Sequence, residues 1–306
     1  MNKNLIMNKK ICIPRLILGI IPIAFAIINL FLLWKAEDSA QFGLSALFFL
    51  GVGSMIWERR KNINLHTTIP ALILGIIVLL FVLSKSTIGV EATKHADIQR
   101  VLPFFVGLGC ALIASGFQGL KQFKSELIIL FFLGIPSFVL TGLIDQGIVN
   151  IAIFTASTTA FLLSYLGFSV NLQGVYIHLP TGSVEVNTAC AGVDLICYML
   201  GLSVLAVEMF PIKKKYNLSI ILGAIILAFF VNAIRVGLMA ILVSKGNNEA
   251  FDYLHEGDGS LVFGMISVLI FGGFYWLLMN HNDQPKNNIK NNNIATLDNF
   301  FEGDSF

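Results

Sequence analysis

The sequence is a succession of apolar runs, each close to the 20 or so residues that an α-helix needs to cross the hydrocarbon core of a bilayer. The runs occupy 16–34, 42–57, 68–84, 101–120, 127–144, 190–210, 218–244 and 259–279. Backbone polar groups in lipid must be satisfied within the chain, and uninterrupted apolar stretches of this length do that as helices. The chain is 56% hydrophobic and only 12% charged, with a mean hydropathy of +0.80, whereas soluble domains carry about 25% charged residues. The expected fold is therefore an all-α polytopic membrane protein of about eight transmembrane helices. Residues 1–279 form one membrane domain, and the Asn-rich tail 280–306 is expected to be disordered and cytoplasmic.

Orientation follows from the basic residues, because Lys and Arg in short loops mark the cytoplasmic side. They cluster at Lys3, Lys9, Lys10 and Arg15, at Arg59–Arg60–Lys61, at Lys121 and Lys124, and at Lys213–Lys214–Lys215. A ninth apolar run, 148–168, is interrupted by Asn150 and by hydroxyls between Thr155 and Thr159. If it crossed, the triple lysine would be thrown outside. It is therefore expected to lie in the outer interface, its hydroxyls facing head groups or a substrate. Both termini then come out cytoplasmic, in the inner membrane. The basic N-terminus runs into a stretch long enough to span, so it is expected to be a retained first helix. The basic residues form no stripe, which gives no support to a nucleic-acid surface. No internal repeat is evident, so a transporter of duplicated halves is not favoured.

With this orientation, three outer segments remain: 85–100, 169–189 and 245–258. In the second, Val175, Ile177 and Leu179 alternate with Tyr176 and His178, then Pro180–Thr181–Gly182 precede Val184 and Val186, a pattern that predicts a short hairpin. It runs into Cys190 at the start of the sixth span. Exposed N–H groups and the partial positive charge of a helix N-terminus stabilise a thiolate and could hold the oxyanion of an acyl transfer. Ala189, Ala191 and Gly192 leave room for a peptide carbonyl. The other cysteines (Cys12, Cys110, Cys197) form no CxxC pair and no His/Cys ligand spacing, so no disulfide framework, metal or cofactor is expected.

Arg235 lies seventeen residues above Leu218, roughly 25 Å up the seventh span and close to its outer boundary. An arginine at that depth is costly unless it faces a polar site. Asn232 is one turn below it on the same face. His255, in the loop that opens the eighth span, reaches the same depth. Cys190, Arg235 and His255 thus come from three elements to one face. They supply an acyl-forming nucleophile, an electrostatic clamp and a proton acceptor and donor. His178 on the hairpin is a rival base, and Glu185, Asp194 and Asp258 are candidates to orient the imidazole.

In Ala189–Cys190–Ala191–Gly192, in Asn232 to Arg235 and in His255 to Gly259, the sequence resembles the exosortase/archaeosortase family over 127–275. These match the family's cysteine, Asn-x-x-Arg and His-x-x-x-Gly motifs in order and approximate spacing. Ala191 stands where a serine is common. The resemblance implies a membrane-embedded cysteine transpeptidase or protease with its catalytic part in 127–279. Cys190, Arg235 and His255 would be catalytic, and Asn232, Ala191, Gly192 and Gly259 supporting or substrate-binding. Its partners would be membrane lipid and exported proteins ending in a short motif, a transmembrane helix and a basic tail. The competing readings are a small transporter or anion-binding protein using Arg235 and His255, and a scaffold for envelope polysaccharide assembly.

Overall fold

The computed structural model describes residues 10–12, 15–88, 96–255 and 259–282, with side chains over 19–86, 98–255 and 259–280. Each expected span is a helix: α1 (Arg15–Lys35), α2 (Ser39–Arg59), α3 (Ile69–Ile88), α4 (Ala96–Ser115), α5 (Lys124–Asp145), α7 (Val193–Met209), α8 (Asn217–Ser244) and α10 (Gly259–Asn282). Two further helices are α6 (Ile151–Tyr165, 15 residues) and α9 (Asn248–His255, eight residues), and β1 (Lys10–Cys12) and β2 (His66–Thr68) form a short antiparallel pair. Among the described residues, six segments are long and apolar enough to cross a membrane: Ser39–Arg59, Ile69–Ser86, Ile98–Gln122, Lys124–Asp145, Lys214–Ser244 and Gly259–Asn280. The expected span 190–210 does not begin at Cys190. Its helix starts at Val193, has 17 residues and carries Asp194 and Glu208 near its ends.

The helices pack through small residues, which let backbones approach where lipid offers no hydrophobic drive for association. A Cβ at Gly134 on α5 would collide with the carbonyl of Arg100 on α4, so these two helices are interlocked there. Ala224 and Ala228 of α8 pack with Met199 of α7 and Phe271 and Tyr275 of α10 in one buried cluster. The Tyr275 hydroxyl lies 2.6 Å from the Phe210 carbonyl and 3.1 Å from that of Ala206, so its one proton ties α10 to the end of α7. Large apolar side chains such as Leu50, Phe161, Leu269 and Leu277 stand on the outside. That is ordinary for a surface solvated by acyl chains.

The two ends of the bundle differ. At one, Arg59 at the end of α2 pairs with Glu126 at the start of α5, and the Arg60 guanidinium lies 4.2 Å over the Trp57 ring. Lys213–Lys215 follow α7 at this end. At the other end a three-stranded antiparallel meander, β3 (Asn171–Gln173), β4 (Tyr176–Leu179) and β5 (Gly182–Glu185), packs beside the C-terminal part of α8. The expected hairpin is β4–β5, with His178 opposite Ser183. Strand β3 has no signal in the sequence, because its three exposed residues carry no alternation. Thr181 ties the hairpin turn to α8, its hydroxyl donating to the Ser244 carbonyl at 2.5 Å.

Helix α6 corrects one expectation. Fifteen residues reach only about 22 Å, too short for a hydrocarbon core about 30 Å thick. Ser157 is exposed, but two of the helix's central hydroxyls, those of Thr155 and Thr159, do not face head groups or substrate. Thr155 donates to the Ala191 carbonyl at 2.9 Å and Thr159 to the Ala233 carbonyl at 3.1 Å, both fully buried. The helix presents Phe154, Phe161 and Tyr165 outward instead. In an apolar setting a hydroxyl does best on a backbone acceptor, and the turn before α7 and helix α8 supply one each.

Candidate active site at the entrance to helix α7

Cys190 sits in the turn between β5 and α7. Asn187 organises that turn: its backbone carbonyl accepts from the N–H groups of Cys190 and Ala191 at 3.1 and 2.9 Å, and its side-chain Oδ1 accepts from the Cys190 N–H at 3.0 Å. The helical ladder begins only with Ile196 N–H to the Gly192 carbonyl. Gly192 has φ +86°, a left-handed conformation that suits glycine. A Cβ there would lie 2.5 Å from Asn232 Nδ2 and 2.9 Å from its Cβ, so the turn is pressed against α8. Cys190 itself is 1% exposed and packs with Ile177, Val186, Val236 and Met239.

From α8 the fully buried Asn232 donates Nδ2–H to the Cys190 carbonyl at 2.8 Å. One turn on, Arg235 Nη1 lies 3.5 Å from Asn232 Oδ1. Its other donors go elsewhere: Nε to the Leu254 carbonyl and Nη2 to the His255 carbonyl, both at 3.0 Å. Arg235 therefore caps the C-terminal end of α9, where carbonyls lack helical partners. Its charge also lies near enough to the Cys190 thiol for the two to interact electrostatically.

His255 is the last residue of α9. Its ring stacks on Phe251 with centroids 5.2 Å apart and planes at 12°, and Phe251 and Leu254 pack against the cluster that holds Cys190. The start of α10 lies close against α9, since a Cβ at Gly259 would meet the Tyr253 carbonyl at 2.7 Å and its ring at 2.8 Å. Cys190, Asn232, Arg235 and His255 are thus linked through one turn of α8, which holds the cysteine turn by one side chain and the histidine helix by the next. Gly192 and Gly259 are needed for close approach, and Ala191 is buried, its carbonyl bonded to Thr155.

The other expected candidates are placed elsewhere. Ile177, Leu179, Val184 and Val186 face the cluster with Cys190. By the two-residue period of a strand, Tyr176, His178 and Glu185 face the opposite side of the sheet. His178 stacks there on Tyr176. Asp194 turns away to Arg100, at 2.6 Å. Asp258 lies outside the described residues. Among those described, no three His, Cys, Asp or Glu side chains gather as a metal site would require. Beside the turn is a cleft of about 220 Å³ lined by Ile144, Asn150, Ala152, Asn187, Thr188 and Ala191, among others.

Arg100, Asp38 and Ser137 are not among the expected site residues, yet they meet beside the start of α7. Arg100 bonds Asp194 and Ser137 through Nη1 and Asp38 through Nη2, the last at 3.0 Å. In the sequence Arg100 falls just outside the expected span 101–120, in the outer segment 85–100, so it lacks the intramembrane depth that singles out Arg235.

Comparison with known proteins bears on the family alone. The chain is 29% identical over 99 residues to a protein described as probable archaeosortase E from Methanocaldococcus jannaschii, a match covering 32% of this chain and 50% of the relative. The chain thus spans about half the length of that curated relative. No solved structure matches. Residues 34–272 match the family described as transmembrane exosortase, and with so much of the chain covered, the protein belongs to that family.

Proposed function

We propose that this protein is a membrane-embedded cysteine transpeptidase or protease that removes the C-terminal sorting signal of exported proteins. Cys190 Sγ attacks the scissile carbonyl, its proton passing to His255. The tetrahedral oxyanion collapses to a thioester as His255 returns the proton to the leaving amine. An acceptor nucleophile or water then takes the acyl group and Cys190 regains its proton. Arg235 contributes positive charge beside the thiolate and the oxyanion, in a setting where burial strengthens it. Asn232 fixes the cysteine turn.

The observation that carries this reading is the single turn of α8 whose Asn232 holds Cys190 while Arg235 holds the His255 end of α9. It also weighs against the anion-transporter reading, in which Arg235 would present its donors to solute, because Nε and Nη2 already serve backbone carbonyls. The topology that goes with it has eight spans, both termini cytoplasmic and the site at the outer face of the inner membrane. Lysines beyond α7 mark the inner side.

Cys190→Ala tests it. In cells co-expressing a protein that ends in a short motif, an apolar helix and a basic tail, the variant should accumulate normally yet leave that protein unprocessed. Unchanged processing would overturn the assignment.

A further inference from the structure

We infer that Arg100 is a positioning residue for the cysteine turn, holding it from the half of the bundle that contributes no member of the catalytic group. The inference rests on the reading of Cys190 as nucleophile. Arg100 projects from the first turn of α4, its side chain 12% exposed. Its backbone packs directly on α5, its carbonyl being the atom that a side chain at Gly134 would strike. One nitrogen reaches Asp38 Oδ2 at 3.0 Å. That carboxylate is itself fixed, its Oδ1 accepting from the Gln41 N–H at 3.1 Å as the N-cap of α2. The other nitrogen reaches Asp194 Oδ1 at 2.6 Å and Ser137 Oγ at 3.1 Å.

Asp194 is two residues past Gly192 and four past Cys190, in the first turn of α7. The turn before it is held from the other side by Asn232 and Thr155. A thiol that must meet a carbonyl within a few tenths of an ångström gains from being fixed on both flanks, since misplacement by about 1 Å can cost a hundredfold in rate. Arg100 suits that task better than lysine, because its planar fork serves two carboxylates at once. Asp194 is 55% exposed and would not keep one place without it.

The test uses the full chain in detergent with Cys12, Cys110 and Cys197 replaced by alanine. Three quantities are read: the rate of Cys190 alkylation by a small maleimide, kcat and KM for a tailed substrate, and the melting temperature. Arg100→Gln and Asp194→Asn should each change the alkylation rate and lower kcat about tenfold, with KM within about twofold. The double variant should be no worse than either single one, because both remove one link. Arg100→Lys should recover most of kcat. Asp38→Asn, which loosens Arg100 on the side away from Cys190, should lower the melting temperature while leaving kcat near the parent. The inference falls if Arg100→Gln leaves alkylation and kcat within about twofold, if the two single effects add, or if Asp38→Asn lowers kcat as much. Alkylation needs no substrate, so it reports on Arg100 even if no tailed protein is processed, an outcome that would overturn the proposed function separately.

Discussion

Two arginines flank the start of α7, and their partners differ in kind. Arg100 is set between the carboxylates of Asp38 and Asp194. Arg235 pairs with no carboxylate among the described residues and bonds instead to two backbone carbonyls and the Asn232 amide. Carboxylates neutralise a guanidinium, and the result is a rigid strut. Carbonyls hold it in place but leave its net charge uncompensated, and that charge is then free to act on an anion formed nearby. Under the proposed function it is therefore Arg235, and not Arg100, whose charge acts at Cys190.

The sharpest way to break that distinction is one exchange made at both positions. Arg235→Lys keeps the charge but loses the fork that reaches Leu254 and His255 together, so processing should fall on the order of 100-fold, with protein abundance unchanged. Arg100→Lys should do far less. Equal losses at the two sites, measured as initial rates on one tailed substrate, would erase the contrast.

Next in size is Gly192→Ala. The left-handed backbone there costs a side chain about 1–3 kcal/mol, and the added methyl would displace Asn232, the amide that joins the cysteine turn to α8. The expected outcome is a lower melting temperature together with lost processing, while the Arg100 network stays intact. A variant that kept parental activity would show that the close approach of α7 to α8 is not required.

What could be read from the sequence follows the same divide. Asn232 and Arg235 sit one turn apart on one helix, Cys190 lies in the turn before α7 and His255 ends α9, and helical period with the expected orientation is what groups them in the sequence. Arg100 lies 62 residues from Asp38 and 94 from Asp194. Each of the three, taken alone, looks like an ordinary charge at a helix end. Their pairing depends on α4, α2 and α7 meeting at one level, which hydropathy does not encode. Thr155 and Thr159 were misread for a related reason: the acceptors that bury them are main-chain carbonyls, invisible in side-chain patterns. Thr159→Val should accordingly lower stability by about 0.6 kcal/mol, the average for a side-chain hydrogen bond between membrane helices, seen as a small drop in unfolding midpoint with processing unchanged.

The smallest expected effect tests which histidine completes the group around Arg235. His178 and His255 are both near the cysteine end of the molecule, and sequence left them as rivals. Strand alternation places His178 with Tyr176 on the face of the sheet turned away from Cys190, since Ile177 and Leu179 take the inner positions. His255 instead ends the helix that Arg235 caps, its ring packed on Phe251 against the same cluster as Cys190. His178→Ala should therefore leave initial rates of processing within about twofold, the range of substitutions outside a site. His255→Ala should remove activity to the level of Cys190→Ala. If the two outcomes were exchanged, the proton would have to travel through the sheet and not through α9, and the hold of Arg235 on the end of that helix would be a packing contact like that of Arg100 on Asp38.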